Sequence, residues 1–147
     1  MPVQENLVAP CGLYCGKCPL YLANVNEALA QSLAEQMKTT PDRAKCPGCR
    51  PAAGSPTPLQ GKVCETYYCA KEKSLFLCGE CASFPCPRFA PTADLANFLP
   101  HNTKIFNLLS IRRDGLELWA EQYPMIMSRY FQGKLMLGAG PQLPKTK

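Results

Sequence analysis

The chain has 147 residues, 46% of them apolar, so it suits one small domain with enough apolar material for a core. Ten cysteines and fifteen prolines are well above ordinary usage and favour irregular, cross-linked structure over long regular elements. No stretch approaches the ~18 consecutive apolar residues of a membrane-spanning helix. The formal charge of +5 counts the cysteines as neutral thiols, so it indicates no class of partner until their ionisation is known.

The compartment of the protein decides what its cysteines can form. Segment 1–6 is polar and lacks the basic patch and apolar run of a secretory signal, so we expect a cytoplasmic protein. Thiols stay reduced in the cytoplasm, and disulfides are rare there. Metal ligation is therefore favoured over five disulfides.

The first cysteine group is Cys11-Gly-Leu-Tyr-Cys15-Gly-Lys-Cys18-Pro. Three thiolates at these spacings can hold three corners of a zinc site or of a [4Fe–4S] cluster. The spacing also resembles the cluster loop of radical S-adenosylmethionine enzymes, which implies a large barrel around the substrate. This chain is too short for such a barrel, and Lys17 stands where those enzymes usually carry an aromatic residue. Zinc and iron–sulfur both stay open at this group.

An amphipathic helix is predicted next, from Leu22 to Lys38. Apolar residues recur there at helical spacing, namely Leu22, Val25, Leu29 and Leu33. Alanines between them favour the helix further, and the sequence Thr39-Thr40-Pro41 ends it. Its apolar face is most simply part of the core.

Two tight turns, Cys46-Pro-Gly-Cys49 and Cys78-Gly-Glu-Cys81, give the strongest chemical signal. Two cysteines in such a turn can both reach one tetrahedral ion at ~2.3 Å, so two turns can build a Cys₄ zinc site. Between the turns lie a proline-rich loop over residues 50–61 and a predicted short strand, Lys62–Tyr68. The same interval contains two further candidate ligands, Cys64 and Cys69, and Cys86 closes the region.

The remainder of the chain, without cysteine, is predicted to be helical. A short helix is indicated by Leu95, Phe98 and Leu99, and a second by Ile105, Leu108 and Leu109, ending near Gly115 as the residue after the helix. Leu116, Trp119, Tyr123 and Met127 share one face of a third helix, which Pro124 is expected to kink or split. Residues 138–147 are predicted to be a disordered tail.

All ten cysteines are candidate metal ligands: Cys11, Cys15, Cys18, Cys46, Cys49, Cys64, Cys69, Cys78, Cys81 and Cys86. The pairing we favour joins the two Cys-x-x-Cys turns, Cys46/Cys49 and Cys78/Cys81, in one site and places the Cys11/Cys15/Cys18 triplet in a second. Ten thiols exceed the eight that two Cys₄ sites need, so two are free, or sulfurs bridge two metals, or a third site exists. His101, the only histidine, follows Pro100 at a predicted helix start and is interpreted as a surface or capping residue.

Metal binding changes the charge of the chain. Eight bound thiolates would add eight negative charges and two zinc ions four positive ones, so the formal +5 falls to about +1. A nucleic-acid partner is therefore not expected, and neither is a membrane. An unidentified protein partner stays open.

The order of these motifs resembles a family of small, cysteine-rich prokaryotic proteins known as a domain of unknown function and taken to bind zinc. The likeness covers residues 8–90, from Cys11-Gly-Leu-Tyr-Cys15 to Phe84-Pro85-Cys86, and the stretch Gly115-Leu-Glu-Leu-Trp119 resembles the helical end of that family. The resemblance implies zinc and no biochemical activity.

The fold class we expect is a small α+β domain, or a mostly helical one, with an irregular cysteine-rich metal-stabilised half followed by short helices. We divide the chain into a metal-binding part at 1–90, a helical part packed on it at 91–137, and the tail at 138–147. Three functions stay open: a structural zinc module with two Zn²⁺ that mediates an interaction, an iron–sulfur protein for electron transfer or redox sensing, and, ranked last, an enzyme with an open zinc site. The aromatic residues of the helical end are assigned to core packing ahead of a partner surface, namely Trp119, Tyr123, Tyr130 and Phe131.

Overall fold

The structure is a computed structural model that describes residues 2–89, 101–132, 134–136 and 140–142, with side chains described for 2–89 and 103–129. Its helices and strands are α1 (Pro19–Leu22), α2 (Glu27–Met37), α3 (Glu65–Glu72), α4 (His101–Asp114), α5 (Leu116–Gln132), β1 (Lys134–Met136) and β2 (Gly140–Gln142). The α+β prediction is wrong, because the strands of the described part are only the short antiparallel pair β1–β2, while the rest of its regular structure is helical.

The helix predicted from Leu22 to Lys38 is present as α2 but begins only at Glu27, because residues 23–26 form a turn that separates it from α1. The side-chain amide of Asn24 donates to the carbonyl oxygens of Tyr21 at 2.7 Å and of Cys46 at 2.8 Å, which fixes the turn against a cysteine loop. The next helix then starts afresh, because the Asn26 side chain accepts a hydrogen bond from the Leu29 N–H at 3.0 Å and caps α2.

The predicted strand Lys62–Tyr68 is also wrong, since residues from Glu65 onward form α3. Glu65 places a carboxylate in the first turn, where its negative charge interacts favourably with the helix dipole. The β-forming residues in this segment do not pair with another strand, and the helix instead buries Ala70.

The helical end agrees with two sequence predictions. Helix α4 ends at Asp114 and is followed by Gly115, with φ of +83° and its N–H bonded to the Ile111 carbonyl at 2.8 Å. Helix α5 runs from Leu116 to Gln132 through Pro124, so the proline does not split it. The short helix predicted at residues 95–99 lies outside the described residues, as does part of the predicted tail.

The core joins the cysteine-rich part to α5 through three aromatic rings. Trp119 is fully buried, and its ring centroid lies 5.7 Å from that of Tyr14 and 5.2 Å from that of Tyr123. The Tyr14 N–H also donates to the Tyr123 hydroxyl at 3.4 Å. Around these rings pack Leu7, Val8 and Leu108. The core-packing interpretation is therefore confirmed for Trp119 and Tyr123, while the side chains of Tyr130 and Phe131 are outside the described part.

Candidate metal centre

Four cysteines from separate points of the chain line one small cavity. The cavity has a volume of about 40 Å³, and its cysteines are Cys69, Cys78, Cys81 and Cys86. Cys69 comes from α3, Cys78 and Cys81 from the second Cys-x-x-Cys turn, and Cys86 from the segment after it. A space of this size is larger than one water needs, and thiolates are the ligands that zinc and iron–sulfur centres share.

The turn from Cys78 to Cys81 is held rigidly at the edge of this cavity. The Cys81 N–H donates to the Cys78 carbonyl at 3.0 Å, and the Cys78 N–H donates to the Pro10 carbonyl at 2.9 Å. The Glu80 carboxylate accepts from the backbone N–H of Phe76 at 3.1 Å. From the other side, the Arg112 guanidinium on α4 donates to the Gly79 carbonyl. Both turn cysteines are thus placed by backbone contacts on several sides.

The two cysteines of this turn have pKa values shifted in opposite directions. Burial, together with the negative charges of the neighbouring thiolates of Cys11, Cys69 and Cys86, raises the pKa of Cys78 to about 12. The pKa of Cys81 is lowered, first by a hydrogen bond from the Ser83 backbone and also by the Lys73 ammonium, whose Nζ lies 3.5 Å from the Cys81 sulfur. The pKa values of the two turn cysteines are therefore shifted in opposite directions, that of Cys78 towards the thiol and that of Cys81 towards the thiolate.

A second group of cysteines surrounds the first Cys-x-x-Cys turn, on the core side of the molecule. The Cys49 N–H lies 3.5 Å from the Cys15 sulfur. A hydrogen bond with Cys15 raises the pKa of Cys49, and burial and the charges of Cys15, Cys11 and Cys64 raise it further. The pKa of Cys15 is lowered to about 7, first by the same bond and also by hydrogen bonds from the Cys49 and Cys15 backbones. Burial raises the pKa of Cys11, against the opposing charge of Lys104. Cys11, Cys15 and Cys64 are therefore all within electrostatic range of Cys49.

Cys18 and Cys46 lie beside this second group. The Cys18 N–H donates to the Cys15 carbonyl at 2.9 Å, and the Cys46 N–H donates to the Leu20 carbonyl at 2.9 Å. Cys46 is only 5% exposed. Burial raises the pKa of Cys18, and the thiolate charges that add to this rise come from Cys15 and Cys46.

The structure thus groups the ten cysteines differently from the pairing we favoured. Cys46 and Cys49 are not among the residues that line the cavity of Cys78 and Cys81. In the part of the chain with described side chains, no three Cys, His, Asp or Glu side chains meet closely enough to enclose one ion. Helix α4 begins at His101, as predicted, but its side chain is outside the described part.

Three basic residues beside the sulfurs were not found by sequence reasoning. Lys73 contacts Cys81, Lys104 lies near Cys11, and Arg50 is the residue that directly follows Cys49 in the sequence. Arg50 could have been noticed, because it directly follows the Cys46-Pro-Gly-Cys49 turn. Nothing in the sequence signals Lys104, which reaches the cysteines only through the packing of α4.

Comparison with known proteins gives the family of the chain. The model of a family described as protein of unknown function (DUF3795) matches residues 7–91. The chain belongs to the DUF3795 family. The matched segment contains all ten cysteines and agrees with the range over which the sequence resembled such a family, while the stretch Gly115–Trp119 lies beyond it. No curated protein and no solved structure matches the chain.

Proposed function

We propose that this protein binds metal ions through cysteine thiolates, zinc first among them, and that it serves as a structural zinc module in an interaction with another protein. The observation that carries this proposal is the cavity lined by Cys69, Cys78, Cys81 and Cys86. Four soft donors around one small space are a donor set suited to Zn²⁺, and a filled Cys₄ shell leaves no open position for catalysis. The proposal therefore ranks a structural role ahead of an enzyme.

Disulfides account less well for the same cavity. Four thiols around one space could pair as two bonds, but the neighbouring Lys73 is placed to stabilise a thiolate, which is the form that binds metal. The proposal includes a reducing, cytoplasmic setting, in which thiols persist. None of the described helices is long and apolar enough to cross a lipid bilayer.

The interaction part of the proposal is supported by exposed apolar side chains on the last two helices. Phe106 and Leu109 are separated by three residues on α4 and are about half exposed, and so are Leu118 and Met125, separated by seven on α5. Residues at these spacings share a helix face. A protein partner suits such side chains better than a nucleic acid, and the charge of about +1 expected for the metal-bound chain agrees.

Elemental analysis of protein purified without oxygen tests the proposal. We expect a colourless preparation with about two zinc ions per chain. Cys81→Ser should lose one of them, because a hydroxyl is a poor zinc ligand beside thiolates. Ser83→Ala is the matched control, since Ser83 also lines the cavity but is not a ligand, and it should keep both.

Two results would overturn this function. Protein without bound metal would remove the basis for a metal-binding role. A brown preparation containing iron and sulfide, with broad visible absorbance that bleaches in air, would replace zinc by an iron–sulfur cluster and make electron transfer or redox sensing the function.

A further inference from the structure

We infer that Cys11, Cys15, Cys49 and Cys64 form a second metal site, a tetrathiolate for a soft divalent cation, placed against the core with Arg50 and Lys104 as its internal counter-charges. This inference rests on the proposed function, because it assigns the ligands of the second ion. It leaves Cys18 and Cys46 outside both sites.

The first step in the argument is the contact between Cys15 and the Cys46–Cys49 turn. The Cys49 N–H points to the Cys15 sulfur at 3.5 Å, as backbone donors do towards thiolates. A Cβ atom built on Gly48 would lie 3.4 Å from the Cys15 Cβ, so the turn and the Cys15 segment pack in direct contact. The Cys15 sulfur and the turn that carries Cys49 are thereby in contact, although they are separated by more than thirty residues.

The second step concerns Cys64, which follows the proline-rich loop and whose backbone lies close to that of Cys49. The Gly54 N–H donates to the Cys49 carbonyl at 2.9 Å, and the Gly54 carbonyl accepts from the Cys64 N–H at 2.7 Å. The Ser55 hydroxyl closes the base of the loop by donating to the Lys62 carbonyl at 3.0 Å. One glycine thus connects both cysteine backbones.

The third step concerns Cys11, which lies in a tight hairpin against α4. Val8 and Tyr14 form an isolated antiparallel bridge, and the Asn107 side chain of α4 donates to the Gly12 carbonyl at 2.9 Å. Cys11 itself is only 8% exposed. Cys15, Cys49, Cys78 and Cys86 all pack against its core cluster, and burial, with the charges of Cys64 and Cys15 adding to it, raises the pKa of Cys11.

The charge of such a site agrees with its surroundings. Four thiolates around a divalent cation leave a net charge of about −2, which is costly to bury without compensation. Lys104 is only 6% exposed, and its positive charge opposes the rise in the pKa of Cys11. Half-buried Arg50 is held beside Cys49 by hydrogen bonds from its guanidinium to the carbonyls of Val8 at 2.6 Å and Phe76 at 2.5 Å. Two cationic side chains, Lys104 and Arg50, therefore lie close to these cysteines.

Cys18 and Cys46 differ from these four in their surroundings. The backbone of Cys46 bonds to Leu20 and, through Asn24, to the turn between α1 and α2. None of these contacts leads to Cys11 or Cys64. The alternative site would join Cys18 and Cys46 to Cys15 and Cys49, and it is the outcome that the experiment must separate from ours.

Two matched substitutions in the full chain make that separation, each measured by elemental analysis of zinc. Cys64→Ser should fall from about two ions to one, whereas Cys46→Ser should keep both. Retention of both ions by Cys64→Ser, or loss of one by Cys46→Ser, would overturn the inference while leaving the proposed function standing, provided that Cys81→Ser still loses an ion. A wild-type chain without metal would remove both.

A second readout uses the unmodified chain and holds even where Cys64→Ser fails to fold. Cys64 and Cys18 are both half-buried, so their native reactivity towards iodoacetamide can be compared directly by mass spectrometry. In the zinc-bound protein, Cys64 should be strongly protected, whereas Cys18 should be labelled as a free thiol. Protection of Cys18 with continued labelling of Cys64 would contradict the assignment.

Discussion

Gly54 shows how closely individual residues fit around the cysteines. Its φ is +83°, and a Cβ atom there would lie 2.4 Å from the Cδ1 atom of the Tyr67 ring. Gly61, in the same loop, has φ of +84° but meets nothing within 4 Å. The two glycines therefore share a backbone conformation and differ in the space around them.

This difference gives a matched prediction at the residue scale. Gly61→Ala should cost about 1 kcal/mol of unfolding free energy, because of the left-handed backbone alone. Gly54→Ala should cost about 2–4 kcal/mol, since the clash with Tyr67 adds to the same strain. Urea unfolding of the two variants measures both values. Equal losses would mean that the loop does not pack on Tyr67 as described.

Arg50 is the side chain that connects the most distant parts of the cysteine-rich region. Its guanidinium bonds to the carbonyls of Val8 and Phe76 and stacks on the Phe76 ring at 4.2 Å. We predict that Arg50→Lys lowers the free energy of unfolding by about 2 kcal/mol, because an ammonium cannot reproduce the fork or the stacking. Arg43→Lys, on an exposed turn, is the control and should change little. An Arg50→Lys protein as stable as wild type would show that these bonds add nothing.

At the scale of elements, α5 stabilises the cysteine-rich part by inserting Trp119 against Tyr14. We expect Trp119→Ala to lower the free energy of unfolding by about 3–5 kcal/mol, since a fully buried indole leaves a large cavity. Leu118→Ala, one residue earlier and 45% exposed, should change it by about 0.5 kcal/mol or less. Urea unfolding followed by circular dichroism compares them. Similar small losses would indicate that α5 is not docked.

The elements that the sequence predicted well are those with strong local signals. The apolar spacing from Leu116 to Met127 and the glycine at 115 are enough to place α5 and the end of α4. The later start of α2 was missed because the turn before it depends on Asn24 bonding to Cys46, a contact between distant residues. The strand predicted at Lys62–Tyr68 failed because β-propensity depends on a neighbouring strand, and none is present beside α3 in the described residues.

At the scale of the whole molecule, sequence spacing identified the cysteines as a set but did not determine their grouping. Which cysteines lie together depends on the path of the 50–63 loop and on the hairpin around Cys11. Neither feature produces a recognisable pattern in the local sequence. The favoured joining of the two Cys-x-x-Cys turns assumed that similar turns share a site. The structure instead places one turn beside Cys15 and packs the glycine of the other, Gly79, against Leu108 of α4.

If metal joins these loops, its removal should unfold them. A strong zinc chelator under reducing conditions is expected to speed amide exchange throughout residues 7–89, because the loops that carry the cysteines have little regular secondary structure of their own. The same chelator saturated with zinc is the control and should leave exchange unchanged. Unaltered exchange after complete metal removal would show that the fold does not depend on metal.

Mass spectrometry of the intact chain under native conditions tests the central claim, metal binding by thiolates, most directly. Spectra of protein prepared without oxygen should show a mass above that of the bare chain by about two zinc ions, less the protons that the ligating thiols release. Denaturation in acid should return the bare mass with all ten thiols free. A native mass equal to that of the bare chain, or one reduced by the hydrogens of disulfide bonds, would contradict the account.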